Sequence, residues 1–249
     1  MRIPYFIWKG TDCRTLGIMV ETYPPMVKPK ERVEQVAIPG LSGKLVIPEG
    51  DYPVYDNYLK NVKCWCRPSA DMQAVCAFLT GEGLLVLGNE PNRAYRARII
   101  NQIDFAQIVK GREYRNFTVP FDVSPLKRIW PATAETVFSF TPDAMGDVIN
   151  SGNQPCYPTI TMTADDEGTI ILQIGANLIS LNAPAAGTYI LDYEAQLYYN
   201  SATMENVSPL LTSPRVILET ADVVLNGAHP VSWTGPASAV SVLPNWRWV

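Results

Sequence analysis

Histidine is almost missing from this 249-residue chain, with His229 the only one. Nucleophile–histidine catalysis needs a base held in place by a third group. His229 sits instead in Asn226-Gly-Ala-His-Pro230, which reads as a turn between two strands. Long apolar runs are missing too, and no stretch approaches the roughly 18 residues needed to cross a bilayer. Residues 1–10 carry Arg2 and Lys9 around only a brief apolar segment, so no secretory leader is read there. A phosphate-cradling glycine loop is also lacking, because Gly81-Glu82-Gly83 precedes a strand-like segment rather than opening a helix. Positive charge runs out early, and the last lysine is Lys127. Residues 1–149 hold 18 basic and 16 acidic side chains, a net of +2, whereas residues 150–249 hold 2 and 8, a net of −6. The formal charge of −4 excludes a general nucleic-acid binder, which needs a basic face to displace counterions. The change in composition near residue 150 divides the chain into two expected folding units, 1–148 and 149–249.

Cysteine is present but poorly arranged for disulfides. Cys13, Cys64, Cys66, Cys76 and Cys156 form an odd, loosely spaced set, which points to assembly in a reducing cytoplasm. Cys64 and Cys66 lie on one strand face, with only Cys76 as a third thiol nearby. A structural zinc site needs four ligands with paired spacings, so these read as small buried hydrophobes. Asp165-Asp166-Glu167-Gly168 lacks the alternating oxygen ligands and distal glutamate of a calcium loop, and reads as a polar hairpin turn. A glycosidase carboxylate pair is a spatial arrangement, and nothing in the sequence singles one out. No catalytic, metal or cofactor site is expected, and the chain is not read as an enzyme.

What the sequence does hold is a punctuated β pattern. Hydrophobic residues make up 47% and charged residues 18%, a balance that excludes wholesale disorder. The 21 prolines and 16 glycines separate short runs that alternate apolar and polar residues, the signature of half-buried strands. Such runs occupy residues 159–163, 169–174, 189–193, 215–218, 222–225, 231–234 and 237–243, and their close spacing predicts a β-sandwich. The first half is β-rich with one helix. Ser69 is its expected cap, and Met72, Val75, Cys76 and Leu79 make one apolar face. Gly81 and Gly83 are expected to end it. A hairpin follows, with strands at 84–87 and 95–105, and another strand at 117–123. The aromatic side chains Tyr189, Tyr193, Tyr198, Tyr199, Trp233, Trp246 and Trp248 could stack on sugars, although aromatics at alternating strand positions more often form core.

Residues 24–32, Pro-Pro-Met-Val-Lys-Pro-Lys-Glu-Arg, differ in character. Three prolines and four charges in nine residues suit neither an interior strand nor a helix. They read as an extended arm or protruding loop, able to reach a neighbour at low ordering cost. Lys28, Lys30, Glu31 and Arg32 are the residues expected to make contacts between subunits.

Taken in order, these segments resemble the distal tail protein family of long-tailed phages and prophages of Gram-positive hosts. Phe6-Ile-Trp-Lys-Gly10 followed by Leu16-Gly17-Ile18-Met19-Val20 is similar to that family's start. Val36-Ala-Ile-Pro-Gly40 with Ser42-Gly43 is similar to its glycine turn, although Leu41 and Ser42 stand where a charged pair is more usual. Tyr95-Arg96-Ala97-Arg98, Ile103-Asp104-Phe105 and residues 117–121 resemble its hairpin and following strand. Ile149-Asn150-Ser-Gly152 with Cys156-Tyr-Pro158-Thr-Ile160 resembles the entry to its C-terminal domain. Ile190-Leu-Asp192-Tyr-Glu194 and Tyr198-Tyr-Asn200 resemble its central strands, and Val242-Leu-Pro-Asn-Trp-Arg247 its closing strand.

The resemblance implies a mainly β protein, with an N-terminal ring-forming domain containing one helix and a C-terminal galectin-like β-sandwich. It implies a homohexameric ring in the virion tail tip, assembled in the host cytoplasm, that joins the tail tube protein to the tail-tip hub or tail-associated lysin protein. A receptor-binding protein is a further partner, and DNA passes through the ring without sequence-specific binding. Ring closure needs two different surfaces on each subunit, and a DNA conduit needs a wall that does not trap phosphates. The alternative is a carbohydrate-binding module that reads cell-wall polysaccharide through the sandwich. Against it, residues 150–249 offer only His229, Arg215 and Arg247 as cationic or imidazole side chains.

Overall fold

Period-two burial sets the architecture. In the strand Tyr58–Cys66, Lys60, Val62, Cys64 and Cys66 are buried, while Leu59, Asn61 and Lys63 face solvent. That is the signature of a sheet with one wet face. The computed structural model describes residues 4–40, 42–50, 52–109, 112–212 and 215–249; Leu41, part of the expected glycine turn, lies outside them. Two compact units divide between Pro131 and Ala132.

The first unit begins with β1 (Phe6–Trp8), β2 (Thr11–Asp12) and β3 (Ile18–Thr22). A two-stranded ribbon follows, β4 (Val33–Val36) and β5 (Leu45–Pro48), then β6 (Tyr58–Cys66) and helix α1 (Met72–Phe78). The unit closes with β7 (Gly81–Leu87), β8 (Arg93–Ile99), β9 (Ala106–Val109) and β10 (Arg112–Ile129). Apart from the ribbon, these strands form one antiparallel sheet in the order β2-β1-β7-β8-β10-β6-β3, with β9 also pairing β10. β10 runs between β6 and β8, and its register against β8 shifts between Val123 and Lys127. Pro125 falls inside that shift, where a residue without an N–H breaks no regular ladder bond.

An aromatic cluster fills the core of this unit. Phe121 packs edge-on against Phe6 and Trp8, at 5.6 and 5.2 Å between ring centroids. Phe78 of α1 stacks on Phe6, and Val75 and Leu79 are buried beside them. The helix is shorter than its apolar spacing suggests. Its cap is Asp71, whose carboxylate accepts from the N–H groups of Gln73 and Ala74, and not Ser69. Cys76 is exposed because a helix of seven residues buries only the turn around Val75. Gly81 and Gly83 belong to β7, and β8 ends at Ile99 rather than near residue 105.

The second unit contains β11 (Phe138–Phe140), β12 (Asp147–Ile149), β13 (Thr159–Ala164), β14 (Gly168–Ile174) and β15 (Asn177–Ala183). It continues with β16 (Gly187–Asp192), β17 (Leu197–Asn200), β18 (Ala228–Thr234) and β19 (Ala237–Leu243). They make a β-sandwich of two antiparallel sheets, β11-β19-β13-β16-β17 and β12-β18-β14-β15. The unit starts ahead of the 148/149 boundary read from charge, because β11 pairs with β19 and β12 with β18.

Three local readings change. Asp165-Asp166-Glu167 is not a hairpin turn, since β13 and β14 lie in different sheets and the segment crosses between them. His229 is not in a turn but inside β18, buried, with Nε2 3.1 Å from the Glu219 carbonyl oxygen. Gly175, at φ 57°, leaves the space its ring needs, because a Cβ there would lie 2.8 Å from Nδ1. Residues 215–218 and 222–225 are not strands. The first contributes a single bridge, Leu218 with Cys156, and the second lies in turns.

Candidate subunit-contact arm

The arm predicted over residues 24–32 is the first leg of a larger protrusion between β3 and β6. Pro24 and Pro29 are buried, whereas Met26, Val27, Lys28 and Lys30 are exposed. The legs meet where the Arg32 N–H donates to the Val54 carbonyl at 2.7 Å and the Asp56 N–H to that of Lys30 at 3.0 Å. Glu31 bridges Tyr55 between these two bonds. Beyond them β4 and β5 pair from Val33↔Pro48 to Val36↔Leu45.

This ribbon is solvated on both faces. Every described residue from 34 to 50 is exposed, including Val36, Ile38, Leu45, Val46 and Ile47 at 37–53%. An isolated two-stranded ribbon is marginal in water, and open strand edges are templates for further pairing. A run of uncovered aliphatics on such an edge marks an interaction surface.

The four expected contact residues divide. Lys30, Glu31 and Arg32 line one groove of about 440 Å³ with Glu34, Ile47 and Glu49. Lys28 is outside it. Arg32 is engaged within its own arm, with Nε 3.2 Å from Glu49 and 3.3 Å from Asp56. These are exposed pairs, which contribute at most about 1 kcal/mol.

A charged cluster at the foot of the arm escaped the sequence reading. Lys60 of β6 is only 2% exposed and lies over the rings of Tyr95 and Tyr58, 4.8 and 5.6 Å from their centroids. Lys127 of β10 pairs with Glu90 at 3.0 Å, and the Tyr95 hydroxyl donates to the other Glu90 oxygen. Burial lowers the Lys60 ammonium from its ordinary value and pushes the Tyr58 phenol up to about 12. Burial alone would raise Glu90, but hydrogen bonds from Tyr95 and Lys127 outweigh it and hold the carboxyl below its usual range. The available signal was that Lys60 shares the inward face with Val62, Cys64 and Cys66.

Elsewhere, four of the five thiols are buried, Cys76 alone being exposed. Burial pushes the Cys13 and Cys66 thiols up to about 11, away from the thiolate that reacts. Among the described residues, no group of three or more His, Cys, Asp or Glu is placed to hold a metal ion. None of their helices is long and apolar enough to cross a membrane. Arg215 and Arg247, the only cations of the second unit, both meet Tyr157. Arg215 donates to its hydroxyl at 3.3 Å, and Arg247 lies 4.7 Å from its ring centroid while pairing with Glu194 at 3.0 Å. Tyr189, Tyr193, Tyr198, Trp233 and Trp246 are buried, leaving Tyr199 and Trp248 half-buried.

A one-helix β unit bearing a solvated ribbon, followed by a two-sheet sandwich, defines the class: the chain has a phage Dit-like fold. In solved structures that fold recurs over the whole length of the Dit protein of phage SPP1, described as a paradigm of the hub adsorption apparatus in Gram-positive-infecting phages. The match has a TM-score of 0.74 at 14% identity and covers 100% of both chains. Chains of the phage P2 baseplate in its activated conformation match with calcium at TM-score 0.56 and 8% identity, and with strontium at 0.57 and 10%. Both cover 97% of this chain and 98% of the other. No family model and no curated protein matches the sequence.

Proposed function

We propose that this chain is a structural tail-tip protein of a long-tailed phage or prophage. It assembles as a homohexameric ring that joins the tail tube to the tail-tip hub or lysin protein and surrounds the DNA path. The observation that carries this reading is the fold shared end to end with a phage hub protein. The first unit forms the ring, and the galectin-like sandwich stands ready for a receptor-binding protein. The ribbon supplies one of the two different surfaces that a closed ring requires. Lys28, Lys30, Glu31 and Arg32 act at that contact, with Lys28 and Lys30 the cations that Arg32's intrachain pairs leave for a neighbour.

Native mass spectrometry of the purified chain tests the ring, with a six-subunit species expected. A clean monomer at high concentration would overturn it. Deleting residues 27–32 is expected to abolish that species, and hexamers that survive the deletion would remove the arm from the contact.

A further inference from the structure

A buried ammonium needs acceptors, and Lys60 has few. It carries three N–H donors, yet its one hydrogen-bond acceptor among the described residues is the Pro25 carbonyl oxygen at 3.5 Å. That distance is at the long limit of hydrogen bonding. Glu90, the carboxylate of the cluster, is taken by Lys127 and Tyr95. The foot of the arm therefore sits on a cluster of two lysines and one glutamate, and Pro25 turns its backbone dipole toward the cation left over. Around it the chain is pinned, with Pro24 buried and the Tyr23 hydroxyl accepting the Tyr5 N–H at 2.9 Å.

We propose that Lys60 is a positioning residue that seats the arm, its charge drawing the Pro25 carbonyl inward and fixing the direction in which the ribbon leaves the sheet. A structural lysine kept for stability would behave in the opposite way. Removing a buried charge and filling its place with a hydrophobe of similar length is neutral or stabilising for a fold, so a Lys60→Met variant should keep or gain thermal stability. Its arm should nevertheless loosen, because a thioether chain offers nothing to the carbonyl.

The groups facing Lys60 are Glu90 from the β7–β8 turn, Lys127 from β10, Tyr95 from β8 and Tyr58 from β6 itself. The Lys60 ammonium loses its proton below the ordinary lysine range, because burial outweighs the attraction of Glu90. At this one site the unfolded chain binds more protons between the two values, so the contribution of Lys60 itself rises with pH, while thiols and phenols that the fold holds above their ordinary values pull global stability the other way. The seat weakens over the same window as the charge is lost. Ordinary alkaline loosening acts on wild type and variant alike, so a loss of arm order confined to the protein that keeps Lys60 identifies the seat.

Hydrogen exchange of the full chain, corrected for intrinsic rates, reads both. At neutral pH, Lys60→Met is expected to exchange the amides of the arm roughly tenfold faster than wild type, with the core sheet unchanged. In wild type the same amides should lose protection relative to the core sheet as pH rises through the Lys60 titration, while that ratio stays flat in the variant. Equal protection in both proteins at neutral pH, or a flat wild-type profile, would overturn the seat. The wild-type profile stands even if the variant fails to fold. The inference rests on the arm but not on the ring. A loosened arm in a variant that still runs as a hexamer would keep the seat and count against the arm contact. An unchanged arm in a variant that runs as a monomer would reject the seat alone.

Discussion

The two units bury polar groups of different kinds. The first hides charge, with Lys60 and Glu90 inside and Lys127 beside them. Among the described residues, the buried polar side chains of the second are Asn150, Thr220, His229 and Asn245. Asn150 shows the contrast. Its amide donates to the Gln154 and Leu218 carbonyls at 3.1 and 3.0 Å, and its oxygen accepts the Gly152 N–H at 2.9 Å. Such a group ties loops to strands with every partner in the backbone and no dependence on pH. Surface charge is divided as well. Residues 1–131 carry 18 basic and 13 acidic side chains, a net of +5, while residues 132–248 carry 2 and 11, a net of −9. The sandwich buries amides, a hydroxyl and an imidazole within an acidic unit, whereas the first unit places a buried lysine and glutamate where its arm begins.

Three measurements sharpen this comparison. The largest effect is expected from Phe121→Ala, which removes the ring between Phe6 and Trp8 and should destabilise the first unit by about 3–5 kcal/mol in chemical denaturation. A loss under 1 kcal/mol would mean that the aromatic cluster is not its core. Next, Lys127→Met leaves Glu90 buried without its direct ion pair and should cost about 3 kcal/mol near neutral pH. Because the folded Glu90 carboxyl titrates below its ordinary range, its stabilisation is present above the unfolded carboxylate value and lost as pH falls through the lowered one. The Lys127→Met penalty should therefore shrink in acid, and a penalty that stays constant into acid would show that lost packing is the cause. Smallest, Asn150→Ala should cost about 2 kcal/mol by stripping the Gln154 carbonyl and the Gly152 N–H of their side-chain partner, although the Leu218 carbonyl keeps the Cys156 N–H. That cost should be the same in acid and at neutrality, and a pH-dependent cost would erase the distinction between the units.

Much of the fold was legible in alternation. Residues 159–163, 169–174 and 237–243 are strands almost as bounded by the sequence, because the first two bury one unbroken face and the third regains its phase at Val240 after a register shift. β15 was missed because Asn177, Ser180 and Asn182 blur the period, whereas β17 was read at Tyr198–Asn200 through the family resemblance and not through alternation. The Asp165-Asp166-Glu167 error has a different source, since sequence shows that a turn exists but not whether the chain returns to the same sheet. His229 was misplaced because Asn-Gly and His-Pro look like turn chemistry, and burial of an imidazole against Gly175 is a tertiary event. The proline-rich leg marked the arm correctly. Its continuation into β4 and β5 carried only the reading of a glycine turn around residues 36–43, and only three dimensions reveal a ribbon with neither face covered. Lys60 was hidden by its own charge, for a lysine in a strand is read as facing water.

The uncovered ribbon also bears on how the chain behaves at high concentration. The chain on its own carries exposed aliphatic side chains along the ribbon, a template for indiscriminate pairing. Glu34, Lys44 and Glu49, spaced along those edges, act as bumpers that slow indiscriminate pairing. A chain of this design is safest when made slowly or consumed quickly. Overproduced on its own, it should aggregate through the ribbon first.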